Sequence, residues 1–180
     1  MEERRDARGL TEAEAIERYR SRNYAKPALT ADIVVFGAWD ETLRVLLVER
    51  GGHPFIGRLA LPGGFANENE PVEETAAREL AEETGVEGLP MELVGVFSRP
   101  GRDPRGWVVS AAFAAVTREA PAVCAGDDAA AAEWYAVERR DDDILLRRDG
   151  QAVLTKDLAF DHCEILKQAL ERCAPHLPPY

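Results

Sequence analysis

Residues 64–86 constrain this chain more than any other segment, because they place several acidic side chains on a short helix behind a glycine-rich turn. Glu79, Glu82 and Glu83 stand at i, i+3 and i+4 and therefore share one helix face. Like charges at this spacing repel one another and disfavour an isolated helix. A hard divalent cation such as Mg²⁺ would relieve the repulsion, because it prefers oxygen ligands. A solvated acidic face is the alternative, and the helix alone does not decide between them.

The spacing around these glutamates forms a longer pattern. It runs Gly, five residues, Glu, seven residues, Arg-Glu, an aliphatic residue, any residue, Glu-Glu, any residue, Gly and an aliphatic residue. The positions are filled by Gly64, Glu70, Arg78, Glu79, Leu80, Glu82, Glu83, Gly85 and Val86, without a departure. The segment resembles the Nudix box. The resemblance implies a loop–helix–loop that binds Mg²⁺ or Mn²⁺ in a hydrolase of nucleoside diphosphates linked to another moiety.

The box glutamates are the candidate metal ligands. Glu79 and Glu83, one helical turn apart, are the best placed, and Glu82 is a third candidate. A bound cation would offset the charge that develops on the phosphoryl oxygens and lower the pKa of bound water.

The family resemblance assigns further roles around the box. It implies that Arg78 orients a neighbouring glutamate and that Glu70 supports the box through a salt bridge or an outer contact. It also implies that a backbone carbonyl near Gly63 completes the metal site. The adjacent glycines Gly63 and Gly64 allow a tight turn and a close approach of backbone to ligand.

A second group of candidate residues lies in the loop S-R-P-G-R-D-P-R-G, which carries Arg99, Arg102 and Arg105. Guanidinium groups pair bidentately with phosphate, so one or two of these arginines are expected to bind the substrate's phosphates or its terminal ribose. Solvated arginines on a surface loop are the alternative. The loop resembles one found in Nudix proteins that act on ADP-ribose or related NAD metabolites, although a related group of transcription regulators carries a similar loop.

Two aromatic residues flank the arginine loop. Phe97 and Trp107 could each stack on an adenine ring, and each could equally belong to the core.

The general base is not decided by the box. In some Nudix enzymes it is a box glutamate, which here would be Glu82. In ADP-ribose pyrophosphatases it is often a glutamate on a later mobile loop, which would correspond to residues 118–132. The candidates on that loop are Glu119, Asp127 and Asp128, and a capping role for the aspartates is the competing interpretation.

The sequence therefore favours Mg²⁺- or Mn²⁺-dependent hydrolysis of ADP-ribose to AMP and ribose 5-phosphate. Another nucleotide substrate remains open: a dinucleoside polyphosphate, NADH or an oxidised nucleoside triphosphate. A non-catalytic ADP-ribose-sensing regulator is a third hypothesis. It is disfavoured because the box glutamates are intact and only about seven residues follow the last predicted helix.

Composition excludes several other classes. The net charge of −11 argues against a general nucleic-acid surface, and no apolar run approaches the roughly 20 residues that span a bilayer. The N-terminus lacks a secretory signal, and three scattered cysteines without a CxxC pair indicate reduced thiols rather than a zinc site. We expect a cytoplasmic protein with a small-molecule nucleotide substrate, which could form a homodimer by analogy with related enzymes.

Hydrophobic periodicity predicts an α/β fold: a three-layer α/β/α sandwich with a mixed sheet, which the Nudix resemblance also implies. We expect an N-terminal charged segment and helix over 1–27, a Nudix domain over 28–173 and a tail over 174–180. Predicted helices cover 11–22, the box helix and 157–173, and residues 118–132 are predicted as a loop. Strands are predicted over 31–38, 43–49, 59–61, 91–98, 107–116 and 133–137, with a hairpin over 144–154.

Overall fold

The computed structural model describes residues 4–126, 129–140 and 143–180. Within these ranges nine strands form one sheet, in the order β5-β6-β1-β2-β7-β8-β9, with β3 beside β2 and β4 beside β1. The strands are β1 (Ala28–Trp39), β2 (Thr42–Arg50), β3 (Leu59–Ala60), β4 (Gly63–Phe65), β5 (Glu92–Phe97), β6 (Val108–Thr117), β7 (Ala129–Arg140), β8 (Asp143–Arg148) and β9 (Gln151–Leu154).

The sheet is mixed, as predicted. Strand β1 pairs parallel to β6 and antiparallel to β2 and β4. The β1–β2 hairpin turns at Asp40 and Glu41, which both have positive φ angles (51° and 58°), as tight hairpin turns require.

Three α-helices accompany the sheet: α1 (Glu12–Arg20), α2 (Val72–Thr84) and α3 (His162–Cys173), with short 3₁₀ turns at Thr155–Asp157 and Ala174–His176. The capping box at the start of α1 is confirmed, because Thr11 and Glu14 each accept a hydrogen bond from the other's backbone N–H. None of the helices that the structure describes combines the length and the apolar character of a bilayer span.

The side chains of β1 alternate between two cores. Val34 and Phe36 belong to the core beneath α3, whereas Ile33 and Val35 belong to the core beneath α2. Because successive residues of a strand point to opposite faces of the sheet, helices cover both faces and the α/β/α sandwich is confirmed.

Two predicted boundaries were wrong by more than three residues. Strand β7 begins at Ala129, inside the predicted loop 118–132, because its alanines pair with the end of β2. Sheet pairing outweighs the low strand preference of alanine there. The last helix begins at His162 rather than at residue 157, because Phe160 has a left-handed backbone (φ 52°) that a helix cannot include.

Candidate active site

Helix α2 places the box glutamates at the mouth of a cleft. Pro71 precedes its first turn, and Gly85 ends it in a left-handed conformation with φ of 72°. The buried side of the helix comprises Thr75, Ala76, Leu80 and Thr84. Glu79 and Glu83 follow Thr75 at intervals of four residues, so they lie along the edge of this buried side, one turn apart and facing the glycine turn.

The carboxylate of Glu83 is held by the backbone of Gly63. The Gly63 N–H donates to Oε2 of Glu83 at 2.9 Å. A Cβ atom on Gly63 would lie 2.2 Å from the carbonyl oxygen of Ala31, and its φ is 153°. Only glycine fits this position, so the residue expected to supply a carbonyl also fixes a glutamate through its N–H.

Gly64 allows the same close approach for Glu79. A Cβ atom on Gly64 would lie 2.4 Å from the Glu79 carboxylate. The two glycines therefore let Glu79 and Glu83 pack directly against the backbone of β4.

Arg78 binds three glutamates of the box. Its guanidinium donates to Glu70 at 2.8 Å, to Glu79 at 2.6 Å and to Glu82 at 3.0 Å. The hydrogen bond from Arg78, with that from the Asn67 N–H, holds the pKa of Glu70 well below its usual range. These contacts match the orienting and supporting positions that the family resemblance implies for Arg78 and Glu70.

Burial perturbs the two cleft glutamates in the opposite direction. It raises the pKa of Glu79, and it raises the pKa of Glu83 to about 7, with the nearby charge of Glu79 adding to the shift and the Gly63 N–H opposing it. Two partly buried carboxylates whose charged forms are disfavoured would both be stabilised by a bound cation.

Glu82 differs from its two neighbours. Its side chain is 60% exposed, and its contact within the box is with Arg78. The structure brings Glu79 and Glu83 together on the cleft wall and leaves Glu82 at its outer rim.

The cleft is a cavity of about 610 Å³ whose lining includes Gly63, Glu79, Glu83, Arg50 and Arg105. Among the described residues, no three acidic, histidine or cysteine side chains converge tightly enough to hold a cation alone. The donor chemistry nevertheless fits Mg²⁺, which usually binds one or two carboxylates and takes its other ligands from water and substrate phosphates. The carboxylates of Glu79 and Glu83, with the Gly63 carbonyl, could supply the protein ligands of the cation.

The three loop arginines occupy different environments. Arg99 is 65% exposed and pairs with Glu164 on the surface. Arg102 is buried and donates two hydrogen bonds to Asp161, at 2.8 and 2.6 Å, and a longer one of 3.3 Å to Asp32. Arg102 was expected to reach a phosphate; it lines the cavity, but its Nε and Nη2 groups are engaged by the two protein carboxylates.

Arg105 is the loop arginine that faces the cavity with part of its side chain exposed. It pairs with Asp103 at 2.7 Å, and its guanidinium lies 4.7 Å from the ring of Phe65. Of the two flanking aromatic residues, Phe97 packs against the core beneath α3, and Trp107 is 58% exposed. Neither is part of the cavity lining.

Sequence reasoning missed Arg50 and Phe160, which both line the cavity. Arg50 donates from Nε to the Pro54 carbonyl at 2.7 Å, and its guanidinium lies 4.9 Å from the Phe160 ring. Burial lowers the pKa of Arg50, and the charge of Arg105 adds to that effect. An anion between the two arginines would relieve their repulsion. Neither residue belongs to a motif, so no local signal could have identified them.

The candidate base residues Asp127 and Asp128 lie outside the described residues, and Glu119 is exposed. The segment before them is tied to the end of α2: the N–H groups of Cys124 and Gly126 donate to the carbonyls of Thr84 and Glu83, at 3.0 and 3.1 Å.

Comparison with known proteins places this geometry in a family. The profile of the NUDIX domain matches residues 26–157. The crystal structure of a MutT/nudix family protein from Enterococcus faecalis superposes with a TM-score of 0.81 at 39% identity, covering 95% of this chain and 73% of that one.

Two curated relatives carry functional names. The chain is 38% identical over 146 residues to the ADP-ribose pyrophosphatase of Methanocaldococcus jannaschii, covering 81% of this chain and 75% of that protein. It is 30% identical over 159 residues to the ADPR responsive transcriptional repressor NtrR of Acinetobacter baylyi, covering 87% of this chain and 58% of the repressor.

Proposed function

Because the chain belongs to the Nudix family, we propose that it is a metal-dependent hydrolase that cleaves ADP-ribose to AMP and ribose 5-phosphate. The observation that carries the proposal is the pair Glu79 and Glu83, packed on the glycine turn and facing a cavity that also contains Arg50 and Arg105. Negative and positive groups on one cavity suit a cation and a pyrophosphate together.

The reaction adds water across a phosphoanhydride. The water oxygen forms a bond to one phosphorus, the bridging P–O bond breaks, and the second phosphate leaves. Glu79, Glu83 and the Gly63 carbonyl would hold Mg²⁺ or Mn²⁺. The bound cation would neutralise phosphoryl charge and make water more acidic. Arg78, bound to Glu79 and Glu70, keeps the glutamate oriented.

Arg50 and Arg105 are the proposed phosphate ligands. The Pro54 carbonyl and the Phe160 ring hold Arg50 in place, and Asp103 holds Arg105, so both guanidinium groups are ordered before substrate binds. Ordering in advance reduces the entropy cost of binding. Arg99 forms a surface ion pair with Glu164, and Arg102 forms buried ion pairs with Asp32 and Asp161.

Adenine stacking is proposed for the aromatic rings of the cavity wall. Phe65 is 41% exposed and lines the cavity, which gives it a better position than Phe97 or Trp107. The Phe160 ring lies near both proposed phosphate ligands, 4.9 Å from the Arg50 guanidinium and 5.4 Å from that of Arg105.

The proton acceptor for the attacking water is proposed to come from the segment after Gly126, through Asp127 or Asp128. The support is indirect: Gly126 is hydrogen bonded to the carbonyl of Glu83. Glu82 at the rim and Glu119 are the remaining candidates.

A substrate panel tests the proposal. ADP-ribose, a dinucleoside polyphosphate, NADH and an oxidised nucleoside triphosphate are incubated with Mg²⁺ or Mn²⁺, and the products are separated by chromatography. We expect the highest kcat/KM for ADP-ribose, equal amounts of AMP and ribose 5-phosphate, and no turnover with EDTA. Undiminished turnover in EDTA, or a clear preference for another substrate, would contradict the proposal.

Similarity to the repressor supports a second candidate, an ADP-ribose-sensing regulator. The two functions differ in one measurement. Calorimetry with ADP-ribose would show binding in both cases, but only the enzyme would release AMP in the same sample after Mg²⁺ is added.

We also propose that α1 takes part in a homodimer. The helix has no buried residue, and its apolar side chains Ile16 and Tyr19 are 44% and 60% exposed. Light scattering coupled to size exclusion should give a dimer mass that falls to a monomer mass in the double variant Ile16→Asp, Tyr19→Asp. A wild-type monomer at all concentrations would refute the dimer.

A further inference from the structure

A cluster of buried polar side chains, here called the Asp32 network, forms part of the wall of the active-site cavity, which Asp32, Arg102 and His162 line. Its members are Asp32, Arg102, Ser110, Asp161 and His162, each no more than 7% exposed. Buried polar groups keep fixed positions because each needs its hydrogen-bond partners. Such a network can therefore fix the positions of segments that are distant in the sequence relative to one another.

Asp32 is the centre of the network. Its Oδ2 accepts hydrogen bonds from the Ser110 hydroxyl and from Arg102, and Arg102 binds Asp161 bidentately. The other oxygen, Oδ1, lies 3.5 Å from Nε2 of His162. Hydrogen bonds from Ser110 on β6 and from Arg102 on the arginine loop thus hold Asp32 in place. Its Oδ1 oxygen faces the imidazole at the start of α3.

The His162 ring joins the network to the glycine turn. Its Nδ1 accepts a hydrogen bond of 2.8 Å from the backbone N–H of Leu61. A nitrogen that accepts carries no proton, so the ring is neutral and its proton is on Nε2, facing Asp32. Complete burial, which lowers the pKa of His162, agrees with the neutral form.

Leu61 is two residues before Gly63, whose N–H binds Glu83. Between them, the Pro62 carbonyl accepts a hydrogen bond of 2.8 Å from the Ile33 N–H. His162, Leu61, Gly63 and Glu83 therefore form a short path from the buried network to the carboxylate on the cavity wall.

We propose that His162 is a positioning residue: through the Leu61 N–H it fixes the segment that places Gly63 and hence the Glu83 carboxylate for cation binding. The inference rests on the proposed function in taking Glu83 as a cation ligand. Helix α3 does not need the imidazole to stay in place, because Ile165, Leu166 and Ala169 are fully buried in the core beneath it.

A matched pair of variants separates positioning from general stability. In His162→Asn, the side-chain oxygen can take the place of Nδ1 and still accept from Leu61. In His162→Gln, the longer amide reaches toward the place of Nε2 and leaves the Leu61 N–H without its acceptor. Both variants remove the ring to a similar extent, so a purely structural role would affect them alike.

The main readout is Mn²⁺ affinity without substrate, followed by electron paramagnetic resonance, with the melting temperature measured beside it. We expect His162→Gln to bind Mn²⁺ about 10- to 100-fold more weakly, in the range found when the groups that orient metal ligands are removed. His162→Asn should stay close to wild type. Equal affinities in the two variants would overturn the proposal, whatever their melting temperatures.

Ser110→Ala tests the network from the other side of Asp32 if His162→Gln does not fold. Losing the hydroxyl donor frees the Asp32 carboxylate to move, so Mn²⁺ affinity should fall several-fold, and an unchanged affinity would equally overturn the proposal. Because no substrate is present, the test is independent of turnover. A protein that hydrolyses no nucleotide but shows the expected Mn²⁺ losses would refute the proposed function alone.

Discussion

The backbone N–H of Gly63 donates a hydrogen bond of 2.9 Å to Oε2 of Glu83, across twenty residues of chain. This bond joins the turn before the box to the last turn of the box helix, so the geometry of the turn determines where the carboxylate lies. The stability and chemistry of the site therefore depend on a position that only glycine can occupy.

Gly63→Ala should destabilise the protein by about 1–3 kcal/mol, the usual cost of a strained backbone conformation, and should weaken Mn²⁺ binding. The added Cβ would overlap the Ala31 carbonyl, and the φ of 153° is unfavourable for alanine. Urea denaturation measures the change. Gly52→Ala is the matched control, since a Cβ there meets nothing within 4 Å; equal effects in the two variants would contradict the steric argument.

The raised pKa of Glu83 predicts a pH-dependent stability of the metal-free protein. The pKa is about 7 in the folded state, against 4.5 ordinarily, so the folded chain holds a proton that the unfolded chain has released. The contribution of Glu83 to the free energy of unfolding must then fall as pH rises from about 4.5 to about 7.

The measurement is urea denaturation of metal-free wild type and Glu83→Gln across this pH range. Wild type should lose stability relative to the variant as pH rises, and saturating Mg²⁺ should reverse the trend because it favours the ionised carboxylate. Parallel stability curves for the two proteins would show that Glu83 is not perturbed.

Arg102→Ala should act mainly on stability. The change leaves Asp161 and Asp32 buried without their cation, which costs about 3–5 kcal/mol in comparable buried pairs. Arg99→Ala is the control on the same loop: its pair with Glu164 is exposed, so at most about 1 kcal/mol is expected. If Arg102→Ala raised KM while its unfolding curve stayed unchanged, Arg102 would be a phosphate ligand after all.

Arg50→Ala should raise KM for ADP-ribose about 10- to 100-fold, the worth of one charged hydrogen bond. Arg44→Ala is a close control, because Arg44 also lies over an aromatic ring, that of Trp39 at 4.7 Å, and donates to a carbonyl. It does not belong to the cavity lining. Steady-state kinetics should give a higher KM for Arg50→Ala than for Arg44→Ala. An equal KM in both variants would show that Arg50 does not bind the substrate.

The part of this site that could be predicted from the sequence consists of residues that are close together in the chain. Helical spacing alone indicated that Glu79, Glu82 and Glu83 share one segment of α2. The family resemblance implied the contacts of Arg78, which binds Glu70, Glu79 and Glu82 within the same turn–helix segment. The strand at β1 and the capping box of α1 were predictable for the same reason, since both depend on neighbours in the sequence.

The unpredicted part depends on partners far along the chain. Arg99, Arg102 and Arg105 look equivalent in the sequence, yet Arg102 alone meets Asp32 and Asp161, which lie 70 and 59 residues away. Which arginine is buried is decided by the packing of β1 against the start of α3, and no local pattern encodes it. The same holds for the left-handed backbone of Phe160 that shortens α3.

The most direct test of the central claim is the rate of ADP-ribose hydrolysis by Glu83→Gln beside Glu73→Gln, an exposed glutamate of the same helix. With saturating Mg²⁺, the first variant should lose about 100-fold or more in kcat, because a carboxylate that holds the cation becomes a neutral amide. The second should match wild type, and both should keep the wild-type circular dichroism spectrum. Wild-type turnover by folded Glu83→Gln would contradict the account.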